Sequence, residues 1–404
     1  MRKKSRCGAC SRRHYRNYFN MKQTTTKIVF SLIRSAMSGE PLSAEELGLC
    51  TPEAISAALK LSAKHDLAHL VAWGAKKNGI VSAEGEATVF KAVYRHQQLK
   101  YEYDRLVKSL EKEKIPFLPL KGSVIRSRYP EPWMRTSSDI DVLVHDADII
   151  AVKRLLTEEL NYKLKGDFSH DVAFFSPANV FVEMHFDLIE ESVMDASSKI
   201  MKRVWEASGV TDGYSYFYEM PDELFYFYHI AHMAKHLLNG GCGIKPFIDL
   251  WILDNTEGAD TEKRNELLAR GELLKFAEVA RRLSAVWFGN AEHDELTEKM
   301  ESFVLSGGVY GSSENRISVV RKEKGGRLKY ALSMIILPYD AIKYIYPVLK
   351  KHRFLTPVMQ VHRWARLLLN GRLGRAKRAL ATNNNVSDEQ VAGVHYFLGE
   401  IGLL

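Results

Sequence analysis

Residues 118–144 read LPLKGSVIRSRYPEPWMRTSSDIDVLV, and the rest of the chain is interpreted outward from this stretch. Its first three residues end a short apolar strand, which Lys121, Gly122 and Ser123 break before a segment that can turn into a helix. A glycine lets the backbone approach a ligand closely. A strand, a glycine turn and a helix start place free backbone N–H groups and the Ser123 hydroxyl where a phosphate can bind, and Lys121 adds positive charge. The stretch therefore predicts a phosphate-binding turn.

The same stretch ends in the strand-like run DIDVLV. Side chains alternate along a strand, so Asp139 and Asp141 share one face, and Ile140, Val142 and Val144 pack the other. Two carboxylates on one strand face are costly unless a cation neutralises them, and such hard oxygen ligands favour Mg²⁺ or Mn²⁺. Alone, an Asp-x-Asp pair is more often a solvated strand end, so its context decides between the two interpretations.

The order of these motifs resembles a known family. Gly122-Ser123 followed by an Asp-x-Asp strand is similar to the DNA polymerase beta superfamily of nucleotidyltransferases. The run KGS, then YPEPWMR, then DIDVLV more closely resembles a poorly characterised bacterial nucleotidyltransferase-like family built on that fold. The resemblance implies an α+β fold, with a small mixed nucleotidyltransferase sheet flanked by N- and C-terminal helical regions. The gap between Gly-Ser and Asp-x-Asp is longer here than in the best-known members of the superfamily.

The superfamily also requires a third carboxylate on a neighbouring strand, and the segment NVFVEMHFD at 179–187 supplies candidates. Glu183, His185 and Asp187 alternate onto one face of that strand. The family pattern is Glu-aliphatic-His, which implies Glu183 as the third carboxylate, His185 as its support and Asp187 as the fallback. Arg135, whose fork of donors matches phosphate oxygens, is a further nucleotide-binding candidate, or else an arginine that braces a loop.

The resemblance implies transfer of a nucleoside monophosphate from a nucleoside triphosphate to an acceptor hydroxyl. Asp139, Asp141 and Glu183 would be the catalytic and metal-binding residues, with Mg²⁺ or Mn²⁺ as the cofactor. Glu183 would hold a second ion or deprotonate the acceptor. Lys121, Gly122, Ser123 and Arg135 would bind the nucleotide. The acceptor stays open among a sugar, another small molecule, an RNA and a protein.

A helix is predicted over residues 221–239, and it carries His229, His232 and His236 along one face. With Cys242 nearby these residues are compatible with a zinc site, although aromatic neighbours favour packing histidines. The family resemblance gives a third interpretation, in which this helix closes over the nucleotide. Lys235 is then a candidate for phosphate contact, and His236 for support.

Two other functions are open at this point. One is a non-catalytic interaction protein that keeps the nucleotidyltransferase fold. The other is a metal-dependent phosphohydrolase that uses His170-Asp171 with the histidines of the 221–239 helix. It is disfavoured because His170-Asp171 lies in a strand-like stretch, whereas that chemistry uses helices.

Composition sets wider bounds. The 404 residues are 46% hydrophobic and 26% charged, as in ordinary soluble globular proteins. The net charge is +8, but residues 1–20 contain seven basic residues and no acidic ones. The rest of the chain has 50 basic and 49 acidic residues and is therefore nearly neutral. Residues 1–20 are either a disordered basic arm or not part of the natural protein, if translation begins at Met21. They contain a lone CxxC at Cys7 and Cys10, and few cysteines follow, which indicates a reducing cytoplasm. No secretory signal or membrane span is predicted, although interfacial membrane contact over 330–349 stays open.

Local patterns predict the remaining organisation. A long amphipathic helix is expected over about 86–112, with Phe90 and Leu99 on its buried stripe. A hairpin is expected over 170–188. A basic strip with Trp364 in the C-terminal helices is compatible with an RNA contact, but a solvated helix face is favoured; its members are Arg363, Arg366, Arg372, Arg375, Lys377 and Arg378. The predicted regions are a basic disordered tail at 1–24, a helical region at 25–115, the nucleotidyltransferase core at 116–205, a helical domain closing over the nucleotide at 206–306, a linker at 307–328 and a C-terminal helical region at 329–404.

Overall fold

The computed structural model describes residues 7–369 and 373–404, with side chains from residue 23 onward except at 340, 344, 373, 375–377 and 379. The chain divides into two compact units. The first comprises Met1–Gln98, Ile125–Ser137 and Ser284–Glu292, and the second comprises Leu99–Val124, Ser138–Leu283 and His293–Leu404. The predicted tail at 1–24 and its CxxC pair involve side chains outside the described part, so those predictions stay predictions.

The first unit is helical. Its helix α1 packs against α3 and α4, and Gly74 of α4 lies so close to the backbone of Leu32 that a Cβ would overlap it. Thr51 caps α3, with Pro52 as the first helical residue. The helices are α1 (Cys7–Ser38), α2 (Ala44–Leu49), α3 (Pro52–Lys64), α4 (Ala68–Lys77) and the first half of α5 (Ala83–Lys112).

A capping box fixes the start of α2 in this unit. The Glu46 carboxylate accepts hydrogen bonds from the Ser43 N–H and hydroxyl, from the Ser31 hydroxyl and from Arg34 Nη2. Burial alone would raise the pKa of Glu46, but these donors outweigh it and lower the pKa to about 2. The carboxylate therefore joins α1 to α2.

Helix α5 confirms the predicted long helix but not all of its buried stripe. Leu99 and Leu106 are buried in the second unit, whereas Phe90 is 70% exposed. The helix runs from the first unit into the second, and in its first half the buried side is occupied by the smaller Ala92. One continuous stripe therefore does not describe both halves.

The second unit is built on a five-stranded mixed sheet with strand order β1-β2-β5-β4-β3. Strands β2 and β5 are parallel, and the other neighbouring pairs are antiparallel. The predicted hairpin is β4–β5, and the fold is the predicted α+β class, with helical regions before and after the sheet along the chain. The strands are β1 (Phe117–Pro119), β2 (Asp139–Val144), β3 (Lys163–Asp167), β4 (Asp171–Phe175), β5 (Phe181–His185) and a separate pair, β6 (Gly209–Val210) with β7 (Tyr218–Glu219).

Strand alternation gives this sheet an apolar face and a polar face. The apolar face packs against the second half of α5, and its members include Ile140, Val142, Val144, Val172, Phe174, Val182 and Met184. Asp141, Ala173 and Glu183 come from the intervening positions of three adjacent strands, so they share the opposite face. The predicted separation of apolar and acidic side chains along DIDVLV is therefore confirmed.

Short helices and turns connect the strands, and a helical array follows them. Helix α10 confirms the predicted histidine-bearing helix and ends just before Gly240 and Gly241, which both have positive φ. These helices are α6 (Gly122–Ile125), α7 (Ile149–Arg154, continued by a π turn at Leu155–Glu159), α8 (Asp195–Met201), α9 (Val204–Ala207), α10 (Asp222–Leu238), α11 (Lys245–Asp254), α12 (Thr261–Arg270), α13 (Leu274–Phe288) and α14 (Glu295–Leu305).

The C-terminal part continues as helices. Sequence analysis predicts an exposed linker at 307–328, but α15 lies within that range and buries Ile317 and Arg321. The Arg321 guanidinium donates to the Val386 carbonyl at 2.7 Å and pairs with Asp388, so this segment is part of the packed structure. No helix within the described residues is both long enough and apolar enough to cross a membrane. The helices are α15 (Ser313–Glu323), α16 (Arg327–Ile335), α17 (Tyr339–Ile345), α18 (Thr356–Leu369), α19 (Leu373–Asn385) and α20 (Asp388–Glu400).

Candidate functional site

Three potential metal ligands meet on the polar face of the sheet. The parallel register of β2 and β5 pairs Asp141 with Glu183 and Leu143 with His185. One ligand atom from each of Asp141, Glu183 and His185 lies within 4.8 Å of the others. Among the described residues this is the group of three or more His, Cys, Asp or Glu side chains close enough to hold one ion. The site therefore follows from strand pairing, because two parallel neighbours present their alternate residues on the same face.

Asp141 is the centre of the group and is almost completely buried. Its Oδ1 accepts hydrogen bonds from Lys121 Nζ and from His185 Nε2, each at 2.8 Å. Burial alone would raise the pKa of Asp141, but the ammonium group and the imidazole outweigh it and hold the pKa far below its usual value. Burial and attraction also oppose each other at Lys121, where the carboxylates of Asp141 and Asp139 prevail and raise the pKa. Lys121 and Asp141 are therefore both charged.

Glu183 faces the opposite electrostatic situation. Burial and repulsion from Asp141 raise its pKa from 4.5 to about 8, even though Lys121 works against the shift. Its Oε2 lies 3.8 Å from His185 Nε2. Burial of the His185 ring lowers its pKa, although the hydrogen bond to Asp141 acts in the opposite direction. Two adjacent carboxyl groups therefore have widely separated pKa values, and this pattern is common where groups exchange protons or bind cations.

The turn before the site departs from the prediction in one respect. Lys121 itself has positive φ, at 46°, and Gly122 begins α6. The Ser123 N–H donates to the Leu120 carbonyl at 3.1 Å, so this amide closes the turn and is not free for a phosphate as predicted. The left-handed backbone at Lys121 ends β1, and the Lys121 side chain reaches Asp141.

Helix α10 adds a polar stripe at intervals of four, three and one residues: Tyr228, His232, Lys235 and His236. Asp141 and Glu183 raise the pKa of the buried Tyr228 above its usual value in addition to burial, and Lys121 helps burial lower the pKa of His232 and His236. The Nε2 atoms of the two histidines are 3.2 Å apart. Tyr228 was not among the sequence-based candidates, and His232 was considered only as a possible zinc ligand or a packing histidine, although the helical spacing from His236 already placed both on its face.

Lys235 has an ion-pair partner. Its Nζ lies 2.8 Å from the Glu190 carboxylate, which also contacts His170 Nδ1 at 3.1 Å. The hydrogen bond from His170 is the largest of the effects that lower the pKa of Glu190 to about 2. His229 hydrogen-bonds the Pro246 carbonyl through Nε2 at 2.9 Å, so its ring makes a contact separate from the one between His232 and His236.

The remaining candidates lie in different places. Asp139 is the first residue of β2, and its charge acts on Lys121 and Glu183, but it is outside the group of three ligands, where His185 stands instead. Asp187 follows the end of β5 and is also outside the group. Arg135 belongs to the first unit, where its Nη1 donates to the Thr136 carbonyl at 2.7 Å. Their functional roles stay predictions.

The fold and the site define an α+β protein that carries an acidic, potentially metal-binding site on one face of a mixed sheet. Comparison with protein families gives the second step. Residues 51–289 match a family described as uncharacterised nucleotidyltransferases, and the chain belongs to that family. No curated protein and no solved structure matches the chain. The matched range contains the whole site, from the turn at Lys121 to His236 of α10.

Proposed function

We propose that this protein transfers a nucleoside monophosphate from a nucleoside triphosphate to an acceptor hydroxyl, as a member of the DNA polymerase beta superfamily. The observation that carries the proposal is the direct pairing of Asp141 with Glu183 on parallel strands, beside the Lys121 turn, in a nucleotidyltransferase family. The acceptor oxygen bonds to the α-phosphorus, the bond to the bridging oxygen breaks, and pyrophosphate leaves. The acceptor proton passes to a base or to solvent.

The donor set fits a divalent cation. Asp141 and Glu183 offer carboxylate oxygens of the kind that Mg²⁺ and Mn²⁺ prefer, and Asp139 stands at the start of the same strand. The chemistry that such an ion supplies is neutralisation of the phosphate charge. His185 hydrogen-bonds Asp141 Oδ1 and orients that carboxylate. Glu183 would either ligate a second ion or, once ionised, accept the proton of the acceptor hydroxyl, and its pKa of about 8 lies near the range of a general base.

Lys121 is the internal counter-ion of the site. Lys121 Nζ lies 2.8 Å from Asp141 Oδ1; with a cation held at that carboxylate, the Lys121 ammonium would be available to bind the negatively charged triphosphate. The stripe on α10 lines the same region, because its Tyr228, His232 and His236 interact electrostatically with Lys121. Lys235 contacts phosphate only after leaving Glu190.

The first test measures thermal stabilisation by ATP, GTP, CTP and UTP, with and without Mg²⁺. The proteins are wild type, Asp139→Ala/Asp141→Ala and, as a matched control, Asp146→Asn, which changes an exposed carboxylate just beyond β2. We expect metal-dependent stabilisation by one nucleotide in wild type and the control, and none in the double variant. That nucleotide is then supplied to an acceptor screen, in which Asp139→Ala should abolish turnover and keep the fold. Turnover retained in Asp139→Ala would contradict the assignment.

The rival functions make different predictions. A non-catalytic protein of the same fold binds a triphosphate but produces no pyrophosphate with any acceptor. The phosphohydrolase alternative loses its support among the described residues, because His170 contacts Asp171 and Glu190 while His229 bonds a carbonyl. A transition metal retained by the protein through purification in chelator-free buffer would support the phosphohydrolase alternative again.

A further inference from the structure

The C-terminal helices of the second unit expose apolar side chains in an organised way. Helix α16 exposes Leu328, Leu332 and Ile335, whose spacing of four and three residues places them on one face. The opposite side of the helix is anchored, because Tyr330 packs against a buried cluster formed by Ile317, Val386 and Val391. The apolar face is thus held outward by the packing of the other side.

Helix α18 also exposes an apolar face to solvent. Its exposed stripe contains Val358, Val361 and Leu368, of which Val361 is 70% exposed. Arg363 Nη1 and Trp364 Nε1 both donate to the Ile335 carbonyl, at 3.1 and 2.9 Å, so these two side chains join α18 to the end of α16. An amphipathic helix of a globular protein normally buries its apolar stripe, so α18 presents to solvent the face that needs a partner.

The charge of the segment restricts what that partner is. Between Asp340 and Asp388 the sequence contains ten Lys and Arg residues and no Asp or Glu. Lys351 and Arg366 are exposed, and so is the aromatic ring of Phe354 just before α18. Arg372, Arg375 and Lys377 of the predicted basic strip have side chains outside the described residues. An exposed apolar stripe within a purely basic segment complements a surface that is both apolar and anionic.

We propose that the surface formed by α16, α18 and the segment between them docks on an anionic lipid bilayer. The apolar side chains enter the boundary between headgroups and acyl chains, and the Lys and Arg side chains bind lipid phosphates. A second copy of this chain fits less well, because it would bring two basic segments together. RNA would use the basic residues but would not require the Val358, Val361 and Leu368 stripe. The proposal is independent of the proposed nucleotidyl transfer.

The test is flotation of the full chain with phosphatidylcholine vesicles that contain or lack phosphatidylglycerol. We expect binding that requires phosphatidylglycerol and weakens with salt. Val361→Asp/Leu368→Asp should lose it, whereas Ile150→Asp, which changes an 81% exposed side chain on α7, should keep it.

Charge reversal tests the basic contribution separately. Lys351→Glu/Arg366→Glu should weaken binding on the order of fivefold per residue or more. The matched control, Lys60→Glu/Lys108→Glu, changes exposed lysines elsewhere and should match wild type. Circular dichroism and melting temperature check that every variant is folded.

Three results would overturn the proposal. The first is that wild type does not bind phosphatidylglycerol vesicles, or that all variants bind them equally. The second is binding of homopolymeric RNA, lost on charge reversal, without any vesicle binding, which assigns the surface to RNA. The third is a wild-type dimer that becomes monomeric in Val361→Asp/Leu368→Asp without vesicle binding, which assigns it to self-association.

Discussion

Replacing Glu183 by Gln is expected to stabilise the metal-free protein at alkaline pH and to abolish the proposed activity. Burial and the charge of Asp141 raise the pKa of Glu183 from 4.5 to about 8, so the folded protein holds this proton more tightly than the unfolded chain. Below about pH 4.5 both states are protonated and Glu183 costs nothing. Between about pH 4.5 and 8 only the unfolded chain ionises, so the free energy of unfolding falls, and above about pH 8 the full penalty remains.

The size of the effect follows from the two pKa values. The difference between 4.5 and about 8 corresponds to roughly 5 kcal/mol. The Glu183 side chain keeps 24% of its exposure, and solvent reduces the penalty to about 2–4 kcal/mol. Glutamine has nearly the same shape but does not ionise, so Glu183→Gln should recover this amount where the wild type is fully ionised.

The assay is urea denaturation of both proteins in EDTA at several pH values. We expect their free energies of unfolding to agree at about pH 4 and to differ by about 2–4 kcal/mol at about pH 9. Glu158→Gln, which changes an exposed glutamate before β3, is the matched control and should follow wild type at every pH. Adding Mg²⁺ should stabilise wild type and leave Glu183→Gln unchanged. A difference that is independent of pH, or a variant less stable than wild type at about pH 9, would refute the reasoning.

Three further predictions concern packing within the two units. Gly74→Ala should lose about 3 kcal/mol because its Cβ enters the α1 backbone, whereas Gly48→Ala, with open space around it, should be neutral or more stable in the same urea titration. Glu46→Gln should lose about 2 kcal/mol at neutral pH; because the folded pKa of about 2 lies below 4.5, acid titration should remove the difference from wild type between those values. Arg321→Met should lose about 2 kcal/mol by leaving the buried Val386 carbonyl without its donor, while exposed Lys322→Ala should stay within about 0.5 kcal/mol by thermal denaturation.

Short-range patterns in the sequence were sufficient for most of the fold. The alternation in DIDVLV fixed which side of β2 is buried, and the cap at Thr51 and the glycines after α10 marked helix ends. Strand β3 was not predicted, because its residues KLKGD at the sheet edge are mostly exposed and show no apolar alternation. Phe90 was misplaced because one helix serves two units.

The site was less accessible to sequence reasoning, because its geometry depends on contacts between distant residues. Family resemblance selected Glu183, but the bond from His185 to Asp141 spans 44 positions and exists only through the β2–β5 register. The pairing of Lys235 with Glu190 has the same origin, since no local pattern shows that an exposed-looking lysine has a carboxylate partner. Contacts of this kind, between residues far apart in sequence, can be identified only from the three-dimensional structure.

The costs of the site are themselves an argument for its function. Lys121 adopts a left-handed backbone that a non-glycine residue reaches at a cost, and it also buries part of a charge. Asp141 is buried as a carboxylate, and Glu183 is placed against it at a penalty that glutamine would remove. The apolar face of the same sheet, formed by the alternate residues of the same strands, is made of hydrophobic side chains. A sheet selected for stability alone gains nothing from concentrating these features at one point, whereas the proposed cation and triphosphate would relieve the electrostatic ones together.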